Sequence, residues 1–299
     1  MSLPTGTEGP TRREFVRGAV AAAAGIALPL GESMRRLHAT ASWPPTLASA
    51  IDSVGIQLYT LRRLFSADVE GTLDAVAGIG YREIEFAGLG GKTPAEMRSL
   101  LDQLGLRAVS SHNGLADIRG DWERTLEGAS ALGQRYIVCP SIDGRDRSGE
   151  GLRAVADAFN RAGEAASRHG IVFGYHNHDW EFSSEDDVLP YDLLLERCDP
   201  ALVTMQMDLH WIVHAGVDPM SYIARHPGRF HSVHAKDRTA DGRMVNVGEG
   251  VIDFAAIHAA SDEAGIRHWF VEHDSPQDPL ADVTVSFRAL SSIGSSRPL

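Results

Sequence analysis

Cysteine is scarce in this chain of 299 residues, which contains only Cys139 and Cys198. Two cysteines cannot form the disulfide framework that stabilises small secreted domains. Cys139 ends an apolar stretch of strand length, and Cys198 lies in the tail of a helical stretch. A single disulfide is the alternative in an exported protein, but we predict two buried free thiols.

Positive charge is also in short supply. The chain has 28 Lys and Arg against 40 Asp and Glu, which gives a formal net charge of −12. A surface this acidic repels phosphate backbones and anionic lipid headgroups. We therefore expect no nucleic-acid partner and no stable association with a membrane, and no cluster of basic residues marks a phosphate pocket.

Long apolar runs are absent apart from the Ala-rich stretch from Gly18 to Leu30. This stretch is shorter than the roughly 20 residues that a membrane-spanning helix needs. It follows the adjacent pair Arg12 and Arg13, and the small residues around Thr40 provide a candidate cleavage site. The pattern predicts a twin-arginine (Tat) export signal at residues 1–41, a linker at 42–52 and a periplasmic or extracellular location. An amphipathic N-terminal helix is the alternative.

Residues 53–299 contain eight apolar segments of strand length that alternate with amphipathic helical segments. Eight such units favour a single-domain α/β fold, the (β/α)₈ TIM barrel, over an open doubly wound sheet. No glycine-rich dinucleotide-binding loop follows the first strand, which weakens the second option further. The strands are predicted at residues 54–58, 83–86, 108–111, 136–139, 171–175, 203–207, 230–235 and 269–272. The helices are predicted at 67–78, 93–104, 122–132, 151–169, 191–197, 220–225, 254–264 and 280–290.

Side chains that can bind a metal or carry a proton stand at the ends of most of these strands. Every strand of a TIM barrel points its C-terminal end to the same face, so residues distant in sequence become neighbours there. Carboxylates and imidazoles together suit one divalent ion, Mn²⁺, Mg²⁺, Co²⁺ or Zn²⁺. Such an ion beside a base favours removal of a proton next to a carbonyl. The side chains are those of Glu85, His112, His176, His178, Asp208, His234 and Glu272.

A series of short motifs extends in order across nearly all of residues 53–299. They are Val54 to Thr60, Gly80 to Glu85, Tyr175 to Asp179, Met207-Asp208, Ala215 to Pro219, His234 to Asp237, Gly248 to Gly250 and Val271-Glu272. Together they resemble the xylose isomerase-like superfamily of TIM barrels, in the branch labelled sugar phosphate isomerase/epimerase. The resemblance implies one divalent metal held at the ends of strands five to eight, with Asp208, His234 and Glu272 as three of its ligands.

One position departs from the superfamily pattern. Many relatives have Glu-Asn-His after strand five, whereas this chain has His176-Asn177-His178, so His176 replaces the expected glutamate. We predict His176 as the fourth metal ligand, with Glu181 as the alternative. The departure weakens the expected pair of glutamates that act as opposed acid and base. The predicted catalytic residues are His176, Glu272, Lys236 and Glu85, with His112 as a further proton carrier.

Substrate contacts are predicted close to the same strand ends. Trp180 and Trp211 provide aromatic faces on which the apolar face of a sugar stacks. The other predicted contacts are His112, His178 and Glu181. Structural alternatives remain open, because the tryptophans would also suit the core, His112 a turn, and Glu85 a salt bridge away from the pocket.

Three functions are compatible with these residues. The first is a metal-dependent isomerase or epimerase that acts on a sugar or keto-sugar. The second is a metal-dependent lyase or hydratase that eliminates a β-substituent from a keto-sugar or 3-keto-glycoside. The third is an exported barrel that binds carbohydrate without catalysis. A small-molecule sugar is the expected partner in each case, a homo-oligomer is compatible with all three, and the acidic charge disfavours a DNA-repair enzyme.

Overall fold

The computed structural model describes residues 51, 53–183 and 189–294. The predicted export signal at residues 1–41 lies outside the described residues, as does nearly all of the predicted linker at 42–52. No helix in the part of the chain that the structure describes is both long and apolar enough to cross a membrane.

Eight parallel strands close into a barrel, in which each strand pairs with its neighbours in sequence and the last pairs with the first. The predicted (β/α)₈ barrel is therefore confirmed, and each predicted strand end lies within one residue of the observed one. The strands are β1 (Val54–Gln57), β2 (Glu83–Phe86), β3 (Arg107–His112), β4 (Tyr136–Cys139), β5 (Val172–His176), β6 (Val203–Asp208), β7 (Phe230–Ala235) and β8 (His268–Val271).

Helices surround the barrel and occupy most of the connections between strands. They are α1 (Arg62–Ala67), α2 (Val69–Ile79), α3 (Pro94–Leu104), α4 (Leu115–Arg119), α5 (Trp122–Leu132), α6 (Gly149–Arg168), α7 (Pro190–Arg197), α8 (Leu209–His214), α9 (Pro219–Arg225), α10 (Phe254–Ala259), α11 (Ser261–Ala264) and α12 (Pro279–Ser292). Short 3₁₀ turns lie at Leu58–Leu61, Gly144–Asp146 and Trp180–Phe182, and Asp237–Arg238 pairs antiparallel with Met244–Val245. The helix predicted at 254–264 is wrong in one respect, because Ala260 separates it into α10 and α11.

The alternation of side chains along β5 determines what reaches the interior of the barrel. Phe173 and Tyr175 face outward and pack against Phe159 of α6, with ring centroids 5.2 and 5.4 Å apart. His176 lies on the opposite face of the strand and points into the barrel, where it is 2% exposed. The same alternation places the predicted ligand side chains of β6 and β7 inside the barrel.

Below these polar side chains, the ring of Phe270 fills the barrel interior and is fully buried. A Cβ atom at Gly55 would lie 2.5 Å from this ring, so glycine is needed on β1 for the ring to fit. Both cysteines, Cys139 and Cys198, are buried and free, as predicted.

Candidate metal centre and active site

The ends of β6, β7 and β8 bring together the side chains of Asp208, His234 and Glu272. Asp208 and His234 are direct partners in the pairing of β6 with β7. The Nδ1 atom of His234 lies 2.6 Å from Oε2 of Glu272 and 3.8 Å from Oδ2 of Asp208. One ligand atom from each residue falls within a group no wider than 4.8 Å, and all three residues are buried. We call these three residues the metal group.

The geometry of the metal group fits a divalent ion. Asp208 Oδ2, His234 Nδ1 and Glu272 Oε2 are all buried, and none has a partner with hydrogen-bond geometry among the described residues. Buried polar atoms without hydrogen-bond partners cost stability, so three of them converging on one point require an explanation. A cation with oxygen and nitrogen ligands would satisfy all three at once.

A buried lysine lies beside the metal group. Nζ of Lys236 is 3.0 Å from Asp208 Oδ2, 2.9 Å from Glu272 Oε2 and 2.9 Å from Asp274 Oδ1. Only the contact with Asp274 has hydrogen-bond geometry. Burial alone would lower the pKa of Lys236, but the charges of Asp208, Glu272 and Asp274 outweigh burial and raise it, so the side chain is an ammonium at neutral pH.

Glu85, predicted as a catalytic residue, contacts His234. Its side chain is fully buried. His234 Nε2 donates to Glu85 Oε1 at 2.5 Å, which directs Nδ1 of the same ring towards Asp208 and Glu272. Gln57 and Gln206 also donate to Glu85, at 2.9 and 2.7 Å. These partners engage both oxygens of Glu85, and such a carboxylate–histidine contact orients metal ligands in many proteins.

The pKa values of this pair follow from their mutual contact. Burial raises the pKa of Glu85, but the charges of His112 and His234 outweigh it and lower that pKa to about 2. Burial likewise lowers the pKa of His234, but the charges of Glu272 and Glu85 raise it to about 10. The contacts with these two carboxylates therefore favour the protonated form of His234.

His176 and Glu181, the two candidates for the fourth ligand, face different ways. His176 Nε2 lies 3.6 Å from Asp208 Oδ2, and its buried Nδ1 has no hydrogen-bond partner among the described residues. Glu181 is fully buried and turned away, because its oxygens accept hydrogen bonds from the Tyr175 hydroxyl at 2.5 Å and the His178 backbone N–H at 2.8 Å. This geometry favours His176 over Glu181 at the fourth position.

The predicted histidine contacts surround the same space. His112 Nε2 donates to Gln206 Oε1 at 2.9 Å, and its ring centroid lies 5.3 Å from those of both His176 and His234. Nitrogen atoms of His112, His176 and His234 also fall within a group no wider than 4.8 Å. The ring of His178 is 5.0 Å from that of His176, and its buried Nδ1 has no partner in the described part of the chain.

The two predicted aromatic walls have different neighbours. The ring of Trp211 lies 6.0 Å from that of His178 and 5.9 Å from Nζ of Lys236, so it borders the site. The ring of Trp180 is covered by the guanidinium of Arg147, at 4.0 Å from the ring centroid. Trp211 is therefore the better placed of the two to contact a substrate.

Sequence analysis missed several residues that build the site. Gln206 lies two residues before Asp208 on β6, and its alternation with Asp208 was the signal that it faces inward. Gln206 connects His112, Glu85 and Ser232 through its amide group. Asp274 had no signal in the sequence, because it lies in the loop that follows β8, two residues after Glu272.

Comparisons with known proteins agree with this architecture. A family profile described as xylose isomerase-like TIM barrel matches residues 73–290. The inosose dehydratase of Geobacillus kaustophilus (strain HTA426) is 26% identical over 248 residues, which cover 69% of this chain and 80% of that protein. The inosose dehydratase of Geobacillus thermodenitrificans (strain NG80-2) is 30% identical over 141 residues, which cover 41% of this chain and 46% of that protein. The chain thus spans less than half of this second relative's length.

Solved structures share the whole barrel. A sugar phosphate isomerase/epimerase from Parabacteroides distasonis is 25% identical, with a TM-score of 0.71 over 86% of this chain and 98% of that chain. The 3-keto-D-glucoside 4-epimerase from E. coli is 18% identical, with a TM-score of 0.61 over 80% of this chain and 98% of that chain. At that identity the second likeness concerns the fold alone.

Proposed function

Because the chain belongs to the xylose isomerase-like TIM barrel family, we propose that it is a divalent-metal-dependent enzyme that isomerises or epimerises a sugar or keto-sugar. The observation that carries this proposal is the metal group, in which three buried ligand atoms of Asp208, His234 and Glu272 converge without hydrogen-bond partners among the described residues. His176 is proposed as the fourth ligand or as a base beside it.

The proposed reaction moves a proton on a carbon next to a carbonyl. When bound, a divalent ion supplies a Lewis acid that stabilises the negative charge that develops on the carbonyl oxygen. Burial, together with the nearby charge of His234, lowers the pKa of His176 well below its usual value. Its imidazole is therefore neutral and able to accept the proton at Nδ1, which has no partner among the described residues.

The fate of the proton determines the product. Its return to the opposite face of the same carbon gives an epimer, and its delivery to the neighbouring carbon gives an isomer. The ammonium of Lys236 is a further positive charge beside the reacting oxygens, and Trp211 provides an apolar wall for the sugar ring.

Elimination of water is the second candidate, and two observations favour it. The curated relatives named above are inosose dehydratases. In addition, the protonated Nζ of Lys236 is able to donate a proton to a leaving hydroxyl, so that the C–O bond breaks and water departs as the carbon–carbon double bond forms.

Proton exchange in D₂O, followed by NMR, tests the proposal and separates the two outcomes. Ketoses and 3-keto-glycosides would be incubated with metal-loaded protein, with metal-stripped protein and with Asp208→Ala. We expect deuterium to enter next to the carbonyl only with the metal-loaded wild type. Deuterium incorporation without loss of a hydroxyl supports isomerisation or epimerisation, and an unsaturated product supports elimination. If deuterium enters none of the compounds, the proposed catalysis is contradicted, and the remaining function is a barrel that binds carbohydrate without catalysis.

A further inference from the structure

Lys236 is one of only two lysines in the chain. It is 2% exposed, whereas the other, Lys92, lies at the surface and pairs with Glu70. Lys236 contacts two residues of the metal group, Asp208 and Glu272, and also contacts Asp274, which is outside that group. A buried ammonium at this position would repel any cation that binds to the metal group.

We propose that Lys236 is an internal counter-ion that competes with the divalent metal, and that Asp274 is the positioning residue that retains the ammonium when the metal binds. This inference rests on the metal site of the proposed function.

The competition follows from distances and charge. Nζ lies 3.0 and 2.9 Å from Asp208 Oδ2 and Glu272 Oε2, the oxygens that a metal would take. A metal ion binds carboxylate oxygens at about 2.0–2.2 Å, so it would lie within a few ångströms of the ammonium. Two positive charges at that separation repel each other, and more strongly in the protein interior than in water because the local dielectric is lower. The ammonium must therefore move away or weaken metal binding.

Asp274 provides the ammonium with a hydrogen-bond acceptor outside the metal group. The contact of Lys236 with Asp274 already has hydrogen-bond geometry, whereas its contacts with Asp208 and Glu272 do not. The backbone of Asp274 is also fixed, because its carbonyl accepts a hydrogen bond from Arg62 Nη2 at 2.8 Å. The neighbouring His273 N–H donates to Thr60 Oγ1 at 3.0 Å. A small shift of Nζ towards Asp274 would vacate the metal position without leaving a buried charge unpaired.

Metal titration of chelator-stripped protein tests the proposal. Binding of Mn²⁺ or Zn²⁺ would be measured by calorimetry for the wild type, Lys236→Met, Asp274→Asn and the double variant. We expect Lys236→Met to bind about tenfold more tightly or better, because the competing charge is gone. We expect Asp274→Asn to bind about tenfold more weakly, because the ammonium then remains on Asp208 and Glu272.

The double variant distinguishes a positioning role for Asp274 from direct ligation. If Asp274 acts through Lys236, its replacement in the Lys236→Met background should weaken binding by no more than about threefold. A tenfold loss in that background, or a Lys236→Met variant that binds no more tightly than the wild type, would overturn the proposal. A wild type that binds no metal at all would instead overturn the proposed function.

Thermal melting with and without metal shows whether each variant folds and tests the competition a second time. Metal-free Lys236→Met should melt below the wild type, since its carboxylates are unpaired, and saturating metal should raise its Tm by more than that of the wild type. An equal rise in both proteins would count against the competition. Lys92→Met is the matched control, since Lys92 also contacts one carboxylate at 2.9 Å but lies at the surface. It should leave metal affinity unchanged.

Discussion

Glu83 and Glu85 show how the role of a side chain depends on its level in the barrel. Both lie on β2 and face inward, two residues apart. Glu83 lies at the N-terminal end, where it accepts from Arg107 Nη2 at 2.9 Å and contacts His268 Nδ1 at 2.8 Å. Glu85 lies one level higher and contacts His234. The first contact supports the barrel, and the second orients a proposed metal ligand.

Replacement of these two glutamates should separate the two roles. Glu85→Gln should weaken metal binding by about 10- to 100-fold, because the amide holds the His234 ring less firmly than a carboxylate. Glu83→Gln should lower thermal stability and leave metal affinity nearly unchanged. Calorimetric titration and thermal melting of both variants provide the measurement, and equal metal affinities for the two would contradict this assignment.

The buried carboxyl of Glu181 makes stability depend on pH. Burial raises its pKa to about 7, against hydrogen bonds that lower it. Between about pH 4.5 and 7 the unfolded chain has lost this proton while the folded protein retains it, so the free energy of unfolding falls as pH rises through this window. The fall from this one group is at most about 3 kcal/mol and ends above pH 7.

Glu181→Gln should remove that part of the pH dependence. Urea unfolding at pH 5 and pH 7.5 would measure it, and the variant should lose less free energy of unfolding between the two values than the wild type does. An identical loss in both proteins would show that Glu181 titrates at an ordinary pKa.

At the scale of elements, the loop after β7 is fixed by one carboxylate. Asp237 is buried, and its two oxygens accept hydrogen bonds from the backbone N–H groups of Arg238, Gly248, Gly250 and Ile252. A Cβ atom at Gly250 would lie 2.2 Å from Asp237 Oδ1, so no larger residue fits there. The Gly248-Glu249-Gly250 motif is therefore held firmly beside the strand that carries His234.

Asp237→Asn should loosen this loop, because an amide NH₂ group cannot accept the hydrogen bonds that one carboxylate oxygen accepts. We expect amide hydrogen exchange at Gly248 and Gly250 to become at least about tenfold faster, while exchange in β7 stays slow. Unchanged protection of the loop against exchange would show that the Asp237 carboxylate does not fix it.

Elements with a strong periodic pattern could be predicted from the sequence. A helix whose capping residue also ends the preceding strand could not. The strands appear as apolar runs between glycine-containing turns, which is why their bounds were predictable. Helix α8 was not predicted, because it begins directly after β6 with no turn between them. Asp208 serves both, since its Oδ1 caps the helix by accepting from the Trp211 N–H while its Oδ2 belongs to the metal group.

At the scale of the whole molecule, barrel topology explains why the sequence predicts that Asp208, His234 and Glu272 lie close together. Parallel strands bring their C-terminal ends to one face, so the strand ends alone identify the candidates. The partners of each side chain depend on distances that no sequence pattern contains. The contact of Glu85 with His234 and the position of Lys236 between three carboxylates are of this kind.

Export through the twin-arginine route is a proposal that rests on Arg12 and Arg13 and the apolar stretch behind them. Replacement of both arginines by lysine keeps the charge but removes the guanidinium pair that the route recognises. Cell fractionation should then find the protein in the cytoplasm. Undiminished export of the lysine variant would contradict this proposal and leave the barrel and its site unaffected.

The position of the bound metal is the most direct test of the account. A crystal of the protein soaked in Mn²⁺ would be measured for anomalous scattering from the metal. The account predicts one strong peak about 2.0–2.3 Å from Asp208 Oδ2, His234 Nδ1 and Glu272 Oε2, with Lys236 hydrogen-bonded to Asp274. A peak centred on His112 and His176 without the two carboxylates, or no peak in the barrel, would contradict it.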